Sequence, residues 1–361
     1  PNSPSLNLSV NEMIKAALPT LDISDYLANP DSEQARSFVN KLRETSHGIG
    51  FFYLVGHGVA VESDRNVMAM ANRFFELPLA EREAIAIARS PHFRGYTLLK
   101  SEMTAGKQDW RDQIDIGPES PVRATDPGDP PWMKLIGPNQ WPQSLPEMPG
   151  VISAWMKQMQ SVGMSLMQAM AEGLEKPRDY FDDRMSPDPY TRVKVIRYPP
   201  QENQSVEEGD EEQGLGLHHD SGILTLILQD AVPGLQVMSK GRLIDVEPMP
   251  GAYVINLGEM LQSATSGYLK ATKHQVVRPT DGRQRISIAF FLNPRLDARF
   301  EPFDLPEALA SEATGGQNSD GEMDPEDPVF ATFGANTLKI RMRAHPDVSA
   351  AHYAGVDLTD L

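Results

Sequence analysis

Apolar residues recur along this chain with two different periods, and the change between them falls near residue 190. Before it, apolar positions three and four apart predict amphipathic helices over about 32–45, 61–75, 79–88 and 151–174. The last of these carries Met156, Met159, Met164, Met167 and Met170, a stripe best read as gap-filling core rather than a binding face. Residues 19–23 form an expected short strand after an N-terminal helix. Residues 50–55, Gly-Phe-Phe-Tyr-Leu-Val, form a second strand, and His57 in the following turn is expected to be structural. Residues 116–150, rich in proline and polar side chains, predict a long loop. From Arg192 onward short runs alternate with period 2, predicting strands at 192–198, 223–229, 234–238, 252–257, 274–278 and 285–292. A last helix is expected over about 337–343. The pattern divides the chain into a mixed α/β part, 1–185, and a mainly β core, 186–361, built as a barrel or double-sheet jelly roll. Two acidic stretches, 202–214 and 310–327, read as solvated loops.

Composition narrows the function. The chain has 361 residues with 40% hydrophobic content, enough for one large domain or a domain with a substantial extension. There is no apolar run of 18 residues, so no membrane span is expected, and the polar start Pro1-Asn2-Ser3-Pro4 does not read as a secretory signal. Cysteine is absent, which excludes disulfides, thiolate nucleophiles and iron–sulfur clusters. A cytoplasmic setting is the default. The net charge of −17 argues against nucleic-acid partners, whose phosphates call for Lys and Arg; it is compatible with cationic substrates, although acidity often serves solubility alone.

The candidate chemistry lies in His218-His219-Asp220, followed 54 residues later by His274. Two imidazoles and one carboxylate are the ligand set of a non-haem Fe(II) oxygenase site, which leaves three coordination positions open. On an extended chain residues i and i+2 share a side, so His218 and Asp220 can grip one ion while His219 points away. The third ligand must come from another strand, and His274 heads the strand-like run Gln275-Val276-Val277. Eleven residues further on, Arg285 and Ser287 share one face of an alternating strand. An arginine fork binds a carboxylate through two charge-assisted hydrogen bonds, and Ser287 adds a donor.

With these residues assembled, the chain resembles the isopenicillin N synthase-like branch of the Fe(II)/2-oxoglutarate-dependent dioxygenases. Ordered matches run from Pro19-x-Leu21-Asp22 and His57-Gly58-Val59 through Arg94-Gly95-Tyr96 and Arg197-Tyr198-Pro199-Pro200 to Asn256-x-Gly258-Glu259-x-Leu261-Gln262. The resemblance implies a double-stranded β-helix core with an α-helical N-terminal region. It implies Fe(II) on His218, Asp220 and His274. It also implies 2-oxoglutarate with its far carboxylate on Arg285 and Ser287 near Tyr198, and O2 as oxidant. Oxidation of a substrate C–H bond would accompany decarboxylation of 2-oxoglutarate to succinate.

A narrower likeness points to the substrate. Glu102-Met103-Thr104-Ala105-Gly106-Lys107-x-Asp109 is similar to a segment of ethylene-forming enzymes in which Glu and Thr hold the guanidinium of L-arginine. Met342-Arg343-x-x-Pro346-Asp347 is similar to the segment whose arginine holds the amino-acid carboxylate. Lys194 and Ser221 depart from the arginine and tyrosine found there, so plain hydroxylation is expected rather than ethylene formation; His219 replaces the more usual threonine, harmlessly if its side chain faces away. The expectation is hydroxylation of a small-molecule substrate, a free amino acid, with arginine and homoarginine as candidates. One alternative is an oxidase that binds its substrate's own carboxylate at Arg285/Ser287 without 2-oxoglutarate. Another is a non-catalytic metal- or ligand-binding module.

Overall fold

The computed structural model describes residues 18–104, 106–123, 126, 128–201, 213–315 and 329–357. The helix expected ahead of Pro19 lies outside the described residues, as do 202–212 and 316–328, most of the two acidic stretches.

The N-terminal part supplies strands β1 (Thr20–Asp22), β2 (Phe51–Val55), β3 (Gly95–Thr97), β4 (Met103–Thr104), β5 (Lys107–Gln108) and β6 (Asp112–Ile116). Its helices are α1 (Ser24–Ala28), α2 (Glu33–Gly48), α3 (Val61–Glu76), α4 (Leu79–Glu83), α5 (Met148–Gly173) and α6 (Asp182–Met185). The core strands are β7 (Arg192–Tyr198), β8 (Gln213–His218), β9 (Leu224–Gln229), β10 (Leu235–Ser239), β11 (Arg242–Asp245), β12 (Tyr253–Leu257), β13 (His274–Val277) and β14 (Arg285–Leu292). Helices α7 (Glu259–Ala264), α8 (Glu307–Ala310), α9 (Phe333–Ala344) and α10 (Pro346–His352) complete the described chain.

Eight strands form the major sheet in the order β1-β2-β12-β9-β14-β7-β6-β3, and four form the minor sheet β11-β10-β13-β8. The expected double-stranded β-helix is thus present, and N-terminal strands extend both edges of its major sheet. The two parts of the chain share that sheet and one hydrophobic core, which runs from Leu21 to Tyr353.

Period-2 patterning decides which residues face the site. On β14, Ile286, Ile288, Phe290 and Leu292 pack toward the helices, where α5 lies across the sheet. Burying such a side chain is worth about 1.5–3 kcal/mol. The alternate residues, Arg285, Ser287, Ala289 and Phe291, point into the space between the sheets. On β7, Val193 and Val195 join the helix-side core, while Arg192, Lys194, Ile196 and Tyr198 face inward. Met156, Met159, Met167 and Met170 on α5 are buried in the core as expected, whereas Met164 is partly buried against it.

Three differences from the sequence expectations have local causes. The helix expected over 79–88 stops at Glu83, because Ile85 and Ala86 instead bond and bridge to Tyr96 of β3. The α9 helix begins at Phe333, four residues before the expected start, and a second helix opens with Pro346. Strand β8 was not anticipated, since Gln213-Gly214-Leu215-Gly216-Leu217-His218 is poor in β-formers. Tertiary packing selects those glycines: a Cβ on Gly214 would lie 2.7 Å from the Val276 carbonyl, and one on Gly216 would lie 2.9 Å from Thr104 Cβ.

Candidate active site

Antiparallel pairing of β8 with β13 makes His274 the register partner of His218. Asp220 follows two residues after His218, in the turn leading to β9. Its Oδ1 lies 3.7 Å from His218 Nε2 and 3.8 Å from His274 Nε2, and the three donor atoms all fall within 4.8 Å of one another. Each is aimed by a neighbour. His218 Nδ1 bonds the Gly216 carbonyl at 2.9 Å and His274 Nδ1 bonds the Thr272 carbonyl at 3.2 Å, which fixes the tautomer and leaves both Nε2 lone pairs for an ion. Asp220 Oδ2 accepts from Thr225 Oγ1 at 2.5 Å and Asn256 Nδ2 at 2.6 Å, leaving Oδ1 free. The turn itself is pinned by α7, where Glu259 N–H donates to the Asp220 carbonyl at 2.8 Å.

Burial pushes the His218 ring down to about 3, with His274 adding to the effect, so the imidazole is neutral and ready to ligate. Burial alone would raise Asp220, but the nearby His274 and His218 and the bonds from Thr225 and Asn256 hold it below the ordinary carboxylate range. This donor set fits Fe(II) of the two-histidine, one-carboxylate kind.

The three donors line a cavity of about 360 Å³. At one end stands Arg285, 1% exposed. Its Nη2 donates to Gln229 Oε1 at 2.7 Å, whereas its Nε and Nη1 are buried with no hydrogen-bond partner among the described residues. The orphaned Nη1 of this buried guanidinium, beside Ser287 and Tyr198, is a donor that a ligand carboxylate would satisfy. Tyr198 is the register partner of Arg285 on β7, and the guanidinium carbon lies 5.3 Å from its ring centre. Ile196, Leu215, Ile227, Leu235 and Val276 wall this end.

The opposite end is charged. Glu102 is 4% exposed and meets Arg111 at 2.6 Å, His345 at 3.1 Å and Lys194 at 3.4 Å. Asp115 behind it pairs with Arg341 at 2.9 Å, and Arg192 and Lys194 stand 3.9 and 4.0 Å away. Burial would raise Glu102, yet Lys194, Arg111 and His345 hold it well below its ordinary value. Burial lowers Lys194 to about 8, against the pull of Asp115 and Glu102. Thr104 also lines the cavity and donates to Asp109 at 2.7 Å.

The structure thus gathers His218, Asp220, His274, Arg285, Ser287, Tyr198, Glu102 and Thr104 around one cavity. It does not bring Arg343 there. That side chain is exposed on α9, and Arg341, 3% exposed, lines the cavity instead. Two residues along a helix turn the side chain through about 200°, so only one of the pair can face inward. The buried spacing Leu338, Arg341, His345 carried that signal. His219 does point away from the other two donors, with Nδ1 3.2 Å from Glu259 Oε1, although part of it still borders the cavity. His57 is structural, its Nε2 bonding the Gly251 carbonyl at 3.1 Å.

Comparisons with known proteins agree with this architecture. Residues 18–144 match the family described as non-haem dioxygenase in morphine synthesis N-terminal, and residues 190–294 match the 2OG-Fe(II) oxygenase superfamily. The chain is 34% identical over 341 residues to the 2-oxoglutarate-dependent dioxygenase frbJ of Dothideomycetidae sp., covering 92% of this chain and 90% of that one. It is 32% identical over 309 residues to a homoarginine-6-hydroxylase of Arabidopsis thaliana, covering 83% and 84%. In fold it is similar to a 2OG-Fe(II) oxygenase family protein from Caulobacter crescentus, with TM-score 0.69, 23% identity and coverage of 91% and 98%. A full-length Neurospora crassa protein solved with alpha-KG and thymine superposes with TM-score 0.69 at 24% identity, covering 81% and 91%. The chain belongs to the 2OG-Fe(II) oxygenase superfamily. It is an Fe(II)- and 2-oxoglutarate-dependent dioxygenase, an oxidoreductase acting on a small molecule with O2. No helix among the described residues is long and apolar enough to cross a membrane.

Proposed function

We propose that this enzyme hydroxylates a free amino acid. His218, Asp220 and His274 hold Fe(II), and Arg285, Ser287 and Tyr198 hold the far carboxylate of 2-oxoglutarate. Glu102, Thr104 and Arg341 face the substrate. The observation that carries this reading is the inward row of β14: Arg285 with its orphaned Nη1, then Ser287, Ala289 and Phe291, alongside the three donors and ending at the charged pocket. That order supports a reading with cosubstrate, oxidant and substrate along one cavity.

Bound iron and 2-oxoglutarate would let O2 act as the oxidant for C–H hydroxylation, one oxygen atom going to the substrate as a hydroxyl and the other to succinate as 2-oxoglutarate loses CO2. The residues of the chain do the positioning. Arg285 gives a bidentate anchor inside an apolar wall that excludes water and strengthens the ion pair. Arg192, Lys194 and Arg341 border the cavity and share Asp115, so a substrate carboxylate there meets cations with charge to spare. An arginine-like substrate is supported by the homoarginine-6-hydroxylase relatives and by Glu102. Because Glu102 is already engaged by Arg111, Lys194, His345 and Gln113, a substrate guanidinium would have to displace one of these partners to reach it.

The test is succinate production from 2-oxoglutarate by the Fe(II) protein across free amino acids including arginine and homoarginine, with mass spectrometry for a gain of one oxygen. Strong stimulation by one amino acid with formation of its hydroxylated form is expected. Succinate formation that no amino acid stimulates rejects the amino-acid reading.

A further inference from the structure

The carboxylate of Asp109 lies outside the cavity, is 0% exposed, and joins two parts of the site that no local chain segment connects. Its Oδ2 accepts from Thr104 Oγ1 at 2.7 Å and lies 3.2 Å from Arg111 Nη2. Its Oδ1 accepts from the Gly216 N–H at 3.1 Å and from Gln213 Nε2 at 3.0 Å. The carbonyl of the same Gly216 is the acceptor for His218 Nδ1. One glycine therefore receives its orientation from Asp109 through its N–H and passes orientation to a metal-binding imidazole through its C=O.

The other end of Asp109 holds the β4–β5 hairpin, which carries Thr104 and follows Glu102. This hairpin has only two residues in each strand and two register pairs, too few to be stable alone. It is fastened to β8 by Asp109 and by Gln213, whose side-chain amide donates to the Thr104 and Lys107 carbonyls at 3.0 and 3.1 Å. Gly216 permits the approach, since a Cβ there would lie 2.9 Å from Thr104 Cβ.

We propose that Asp109 is a positioning residue that couples the substrate hairpin to the metal ligand His218, with one carboxylate oxygen serving each side. The inference rests on His218 being an iron ligand and on the hairpin facing substrate, but its test needs no turnover. The two oxygens are separable by mutation. Asp109→Asn keeps an Oδ1 acceptor for Gly216 and loses the acceptor for Thr104 and Arg111. Asp109→Ala loses both.

Fe(II) binding is titrated without oxygen in the presence of 2-oxoglutarate by the visible charge-transfer band, and amide hydrogen exchange is followed over 103–108 in the same proteins. D109A is expected to weaken Fe(II) by about 10- to 100-fold, the usual effect of removing a group that orients a metal ligand. D109N is expected to stay within about threefold of wild type for Fe(II), yet to exchange the hairpin amides at least about tenfold faster, as Thr104→Val does, for about 1.4 kcal/mol of lost protection per tenfold. D109A binding Fe(II) as tightly as wild type overturns the link to His218. Should D109A not fold, D109N decides: unchanged hairpin exchange, or a loss of Fe(II) affinity beyond tenfold, overturns the division of roles. An absence of amino-acid hydroxylation leaves these readouts intact, so the two failures are distinguishable.

Discussion

His218 and His274 are directly opposite one another on antiparallel strands β8 and β13, and their ring centres lie 4.2 Å apart. Their Nε2 atoms and Asp220 Oδ1 together form the candidate iron-binding face. Substituting His218, His274 or Asp220 with alanine is expected to abolish Fe(II) binding. Asn256→Ala, which removes the 2.6 Å bond orienting Asp220, is expected to weaken Fe(II) by about 10- to 100-fold. Anaerobic Fe(II) titration with 2-oxoglutarate measures both.

At the far end of the cavity, Arg285→Gln removes the bidentate anchor while leaving the iron donors in place. Truncating one partner of a buried charge pair costs about 2–5 kcal/mol, so the 2-oxoglutarate KM is expected to rise by about 30-fold or more. Fe(II) affinity without 2-oxoglutarate is expected to be unchanged. An equal loss of Fe(II) affinity would mean that the variant has disturbed the whole barrel.

Arg341 and Arg343 offer a paired comparison on one helix. Arg341→Met removes a cavity cation and leaves Asp115 short of its 2.9 Å partner, so amino-acid affinity is expected to fall at least about tenfold. Arg343→Met alters an exposed side chain and is expected to stay within about twofold. Binding is read by the substrate-induced change in the spectrum of the Fe(II)–2-oxoglutarate complex.

Acid should destabilise the charged pocket. Against the effect of burial, Arg341 and Lys194 hold Asp115 down to about 2, below its ordinary 3.8, and Glu102 is also held well below its ordinary 4.5. A depressed folded-state pKa gives stability that is present above the unfolded value and lost as pH falls through the folded one. The melting temperature is therefore expected to fall between about pH 4.5 and 2, with Asp115 contributing on the order of 2 kcal/mol. Asp115→Asn should show a shallower slope over that window in thermal melts.

The alkaline side has the opposite sign for Lys194. Burial brings it to about 8 from an ordinary 10.5, so between those values the unfolded chain binds a proton that the folded chain does not. Its contribution to stability rises with pH across that window, while the pocket loses a cation above about pH 8. Amino-acid affinity is expected to decline above that pH, and Lys194→Gln should flatten the decline in a pH series of substrate titrations.

The residues picked out from the chain as candidate iron donors and 2-oxoglutarate anchor meet at one cavity because all but Asp220, in the turn after β8, sit on strands, where a period of 2 fixes the facing of each side chain. Arg285 and Ser287 on β14 and Tyr198 on β7 followed from alternation together with family resemblance. The β8 strand was not legible, because Gly214 and Gly216 are chosen by the close approach of Val276 and Thr104 rather than by β propensity. Nor was the inward arginine of α9, where the phase depends on how the helix packs and an error of two residues reverses the face.

The sequence by itself determined the class of fold and, through residue type, local period and family resemblance, pointed to the candidate metal donors and cosubstrate anchor. Only the tertiary structure decided the charge of the substrate pocket and how its parts are fastened. Glu102, Arg111, Asp115, Lys194, Arg341 and His345 come from four separate stretches of chain and acquire their partners on folding. The reason is physical: a carboxylate's availability depends on which cations are packed against it in a low-dielectric interior. Asp109 likewise reaches Gly216 across more than a hundred residues of chain.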